Sequence, residues 1–250
     1  VDPQPPERVG VASGGRCGLP AMNDIGLRRR RALRWILVLA AVALLAVGAT
    51  QPWGVSAVPL ELAPSALHFR RILLDDWAAG VAAADITGFQ RLRANLLADS
   101  LLLVPAYVAL LVFFTLAYGP SPQRHPALRQ WLCVPAVVAG LFDIAENSMT
   151  GRALDELMHS SLSDATVADI HLASRLKWIL LGIALLIVAW RCRAVVRGGW
   201  HTAAAVACAL GGLAMTAGAW SALMPAIHLG VGGVLAGLGL LAWLALRAPA

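Results

Sequence analysis

Six apolar runs that reach or approach bilayer length recur through this chain of 250 residues, at 33–49, 101–118, 132–147, 176–190, 202–223 and 227–246, and they leave few folds open. A hydrocarbon core of about 30 Å takes roughly 20 apolar residues as a helix, and a backbone in lipid must satisfy its own hydrogen bonds. The fold class that follows is all-α, a polytopic transmembrane helical bundle of six spans. Composition agrees: 59% of residues are hydrophobic and 14% charged, which excludes an ordinary soluble domain.

Tryptophan and arginine set the limits and the orientation. Trp35, Trp53, Trp131, Trp178, Trp190, Trp200, Trp220 and Trp243 fall at or near segment ends, as an interfacial belt requires, and Trp77 lies elsewhere. Arg28, Arg29, Arg30, Arg31 and Arg34 precede or open the first span, Arg124 and Arg129 lie between the second and third, Arg191, Arg193 and Arg197 follow the fourth, and Arg247 closes the last. Alternating spans put all of these on one side, which the positive-inside rule makes cytoplasmic, with both termini there. The other side receives most of the acids, including Glu61, Asp75, Asp76, Asp85, Asp155, Glu156, Asp164 and Asp169.

The net charge of +6 belongs to this topology. The basic cluster before the first span points to anionic lipid, and no nucleic-acid partner is expected. Lys177 is the single lysine among twenty basic residues, a bias associated with GC-rich bacterial genomes. The localisation that follows is a bacterial inner (cytoplasmic) membrane, crossed several times. Cys17, Cys133, Cys192 and Cys208 have no paired spacing, so no structural disulfide is expected.

Residues 1–27, rich in Pro, Gly and polar residues, read as a disordered leader upstream of a membrane domain at 28–250. Met22, just before the basic stretch, is the expected true start. A cleavable signal ending near Val47-Gly48-Ala49 is the rival reading of the first span, and the length of the run together with five further spans favours a retained anchor. The outer loop 51–97 is too long for a turn. Pro64-Ser65 can start a helix with Phe69, Ile72, Leu73 and Trp77 on its apolar face, lying on the membrane or acting as a lid. Ser161-Leu-Ser-Asp164 matches a capping box that begins a helix running into the fourth span. Gly233-Val-Leu-Ala-Gly237 is a small-residue packing face, open either to a neighbouring helix or to another membrane protein.

Asp143, Glu146 and Asn147 stand near the end of the third apolar run, on one helical face. Acids are costly in lipid and need partners. Counted from Arg129 at about 1.5 Å per residue, Asp143 is roughly 21 Å and Glu146 roughly 25 Å deep, and counted from Arg191 the depths are roughly 21 Å for Lys177 and 24 Å for Arg175. The depths pair Lys177 with Asp143 and Arg175 with Glu146. Asp99, His171 and His228 are expected near the same outer boundary, with Asn95, Asn147 and Ser174 adding hydrogen bonds. Pro105 and Pro135 are expected to kink their helices, and Tyr107 to fill a packing gap.

Three roles remain open for this cluster. It is a structural staple or ligand-binding centre, a proton-coupled or lipid-directed transport site, or the acid/base site of a small lipid-modifying enzyme. A metal version would use His171 and His228, but neither has a recognised ligand spacing, so no metal and no cofactor is expected. No HExxH, CxxC, G-x-S-x-G or Walker A sequence occurs. The expected function is therefore non-enzymatic, with membrane lipid as the expected partner.

Leu141-Phe-Asp143-Ile-Ala-Glu146-Asn147, taken with Leu176-Lys177-Trp178 and Ile72-Leu-Leu-Asp-Asp-Trp77, resembles a group of small bacterial polytopic membrane proteins marked by a D-x-x-E-N helix motif. The resemblance covers roughly residues 60–190 and leaves the last two spans outside. It brings no activity and no functional residue, and implies only that the first four spans form a unit.

Overall fold

A computed structural model of the chain describes residues 20–50, 65–67, 86–119, 125–159, 162–196, 198–221 and 223–247. Among these the elements are α1 (Pro20–Thr50), α2 (Ile86–Ala98), a π-helical turn (Asp99–Leu103), α3 (Val104–Ala117), α4 (Pro126–Trp131), α5 (Val134–Met158), α6 (Asp164–Val195), α7 (Gly199–Ser221) and α8 (Met224–Arg247). Leu27–Thr50, Gln90–Ala117, Pro126–Leu157, Asp164–Val195, Gly199–Ser221 and Pro225–Arg247 are long and apolar enough to cross a membrane. The all-α, six-span expectation is met. The leader up to residue 19 lies outside the described residues. So do residues 51–64 and 68–85 of the outer loop, including its expected apolar face.

Two prolines shape the helices that carry the site. Pro105 has no N–H to offer the carbonyl one turn earlier, and just before it the ladder widens so that the Val104 N–H reaches the Asp99 carbonyl, five residues back. The π-turn follows from that missing donor. Pro135 likewise cannot bond to Trp131, and the third span is interrupted between α4 and α5 there.

Helix α5 runs on to Met158, three turns past the end of its apolar run. Asp143 and Glu146 are therefore mid-helix and not close to an end, because the inward face of the helix continues past Asn147. Thr150, Ala153 and Leu154 are buried. Helix α6 has 32 residues, or about 48 Å, longer than a hydrocarbon core of about 30 Å. It is capped by Ser163, whose Oγ accepts the Thr166 N–H at 3.1 Å. Asp164 is thereby left to accept the Ala66 N–H at 2.7 Å. The cap thus falls two residues later than the Ser161 box suggested.

Small residues bring the last helices together. A Cβ on Gly182 of α6 would meet the Gly212 carbonyl of α7 at 2.5 Å. Gly233 and Gly237 of α8 lie against Ala204, Ala207, Cys208 and Gly211 of α7. That face is filled from within the chain, so a second protein at these glycines would have to displace α7.

The arginine-bearing helix ends meet at one end of the bundle. Arg129 Nη2 donates to the Leu116 carbonyl at 3.2 Å, Arg191 Nε to the Tyr118 carbonyl at 3.1 Å, and Arg193 Nη1 to Thr202 Oγ1 at 2.6 Å. The Arg247 guanidinium lies 4.2 Å from the Trp243 ring centre, and that ring meets Trp200 edge-on.

Candidate functional site

Helix α5 is polar inside and apolar outside. Ala136, Ala139, Asp143, Glu146, Asn147 and Thr150 are buried at helical spacing, while Val134, Val137, Leu141 and Ile144 on the other face are exposed, Leu141 by 61%. Such a helix suits lipid and not water.

Helix α6 places Lys177 opposite the inward acids. Its Nζ donates to Asp143 Oδ1 at 3.2 Å and to Glu146 Oε1 at 3.0 Å, and it stands 2.8 Å from Glu146 Oε2. Asp143, Glu146 and Lys177 are only 5, 4 and 6% exposed. Taking any one of these charges out of water alone would cost several kcal/mol, of order, and mutual pairing offsets much of that. The Trp178 ring centre, 4.7 Å from Nζ, adds a cation–π contact.

Two further elements complete the centre. Tyr107 of α3 donates its hydroxyl to Asp143 Oδ2 at 2.8 Å, so both Asp143 oxygens are engaged. This bond goes beyond the packing role expected of Tyr107. The available signal was that a phenolic hydroxyl inside an apolar span needs an acceptor. On the adjacent side of α5, Asn147 Nδ2 donates to Asp99 Oδ2 at 2.8 Å and to Ser100 Oγ at 3.0 Å, both in the π-turn. Asn95 extends the polar chain to α1, donating to the Val47 carbonyl at 2.8 Å and to Thr50 Oγ1 at 3.1 Å.

Comparison with protein-family models, curated proteins and solved structures finds no match to this chain. Function is therefore read from geometry.

The expected Lys177–Asp143 contact is present, but Arg175 forms no ion pair with Glu146. Residues two apart on a helix point about 200° from each other, so with Lys177 facing α5, Arg175 is turned aside, half-buried. Lys177 takes both acids instead. Ser174 is fully buried one turn before Lys177, and its Oγ has no hydrogen-bond partner among the described residues. His171 is half-buried on α6, six residues before Lys177. His228 is not gathered in. It is exposed near the start of α8, which packs chiefly on α7. Among the described residues no three His, Cys, Asp or Glu side chains converge as metal ligands.

A groove of about 400 Å³ between α2 and α5 is lined by Arg93, Ser100, Asn147, Arg152 and Asp155. Arg93 and Asp155 form an ion pair across it. The groove reaches Asn147, while Asp143, Glu146 and Lys177 are not part of its wall. The charge centre is chemically able to join helices or to hold and release a proton.

Proposed function

We propose that this chain is an integral component of a bacterial inner membrane, with both termini cytoplasmic, whose role is structural or ligand-binding and not catalytic. The observation that carries this reading is the buried Lys177 ammonium held jointly by Asp143 and Glu146. Acid and base pair with each other at the middle of α5 and α6. The orientation rests on the gathering of Arg129, Arg191, Arg193 and Arg247 at one bundle end.

One observation favours a second reading, proton-coupled transport. Two carboxylates face one ammonium, with Asp99 joined through Asn147 as a third acid. Lys177 balances only one carboxylate, so the trio is neutral when the other carboxyl carries a proton, and that proton would be the cargo. Tyr107 from α3 bonds to Asp143, and His171, Ser174 and Arg175 stand on α6 within two turns of Lys177.

The deciding experiment places the full chain in liposomes under an imposed pH gradient, beside Glu146→Gln. The non-catalytic, structural reading expects the same proton leak from both proteins as from empty vesicles. A flux seen with the unaltered protein and lost in a folded Glu146→Gln variant would put transport in its place.

A further inference from the structure

We propose that the basic groove where α1 meets the end of α3 and the start of α4 binds the phosphate headgroup of an anionic membrane phospholipid. The groove, about 330 Å³ in volume, is lined by Arg28, Arg29 and Ala32 of α1, Phe113 and Leu116 of α3, and Arg129 of α4. Three guanidiniums and no acid line it among the described residues. Guanidinium is the side chain whose planar fork matches phosphate oxygens.

Helical phase selects these arginines from the larger basic cluster. At about 100° per residue, positions 28, 29 and 32 share one side of α1, while Arg31 and Arg34 project from the other. Arg129 is fixed in the wall by its bond to the Leu116 carbonyl, and its Nε is buried with no hydrogen-bond partner. The bond to Leu116 holds this guanidinium in the groove wall beside those of Arg28 and Arg29. Phe113 and Leu116 supply an apolar wall beside the charges, at the end of a span, where a lipid's phosphate and acyl chains part. Free phosphate has nothing to set against those side chains.

Native mass spectrometry of the full chain in detergent, with phosphatidylglycerol, phosphatidylcholine or inorganic phosphate, tests the site. The unaltered protein and Arg31→Gln/Arg34→Gln are expected to retain phosphatidylglycerol in preference to phosphatidylcholine. Arg28→Gln/Arg29→Gln removes the same formal charge and is expected to weaken phosphatidylglycerol binding about tenfold or more. Arg29→Gln alone, the gentler change, is expected to fall between. Equal losses in the two double variants would reduce the effect to diffuse attraction and overturn the proposal. Equal retention of phosphatidylcholine, or displacement of the lipid by inorganic phosphate, would overturn it as well. The charge centre on α5 and α6 is untouched by these variants, so this result and the proton-flux result are independent.

Discussion

Lys177 Nζ stands 2.8 Å from Glu146 Oε2 and 3.0 Å from Oε1, so one ammonium spans both oxygens of a carboxylate on a neighbouring helix. Because Asp143 shares the same ammonium, the three charges are not interchangeable. Removing either acid leaves an equal pair, whereas removing the lysine leaves two acids facing each other in an apolar interior.

Lys177→Met is therefore expected to be the most damaging single change, by about 3–5 kcal/mol. Asp143→Asn and Glu146→Gln should each cost less. The triple neutral variant should recover much of the loss, because it leaves no unpaired charge. Unfolding of the set in detergent, read as a mutant cycle, checks the order. If Lys177→Met matched the unaltered protein, the centre would not be holding α5 to α6.

Tyr107→Phe removes the hydroxyl that engages Asp143 Oδ2. A hydrogen bond to a charged group contributes about 1.5–3 kcal/mol, and loss on that scale is expected with helix content unchanged. The effect should shrink in the Asp143→Asn background, which a double-mutant cycle measures directly.

Pro105→Ala would restore an N–H at the point where the π-turn resolves. The expected outcome is a tightening of Asp99–Leu103 toward α geometry, which rotates Asp99 and Ser100 away from Asn147. Asn147→Ala should then destabilise the unaltered protein by about 1–2 kcal/mol and the Pro105→Ala variant by much less. Equal effects in both backgrounds would separate the π-turn from the Asn147 contact.

Gly182→Ala sets a methyl against the Gly212 carbonyl, 2.5 Å from the new carbon. Overpacking at a backbone crossing costs about 1–3 kcal/mol. Gly151→Ala, with nothing near the added Cβ, should leave thermal stability in detergent within error of the unaltered protein or raise it slightly.

The number of spans, the all-α class and the shared face of Asp143, Glu146 and Asn147 were all legible in the sequence. Each follows from local physics: the lengths of apolar runs, backbone hydrogen bonding in lipid, and the angle per residue of one helix. That Lys177 answers Asp143 was legible too, since equal depth on two long helices is arithmetic on a single rise.

What only the tertiary structure decided is which groups meet across helices. Depth alone assigned Arg175 to Glu146, but the rotation of α6 about its axis, set by packing against α5 and α7, turns Arg175 aside and gives both acids to Lys177. The Tyr107 bond to Asp143, the Asn147 bond to the π-turn and the seating of Gly233 and Gly237 on α7 depend in the same way on where neighbouring helices stand. A helix's period fixes its faces from sequence. The partner of each face is a property of the whole bundle.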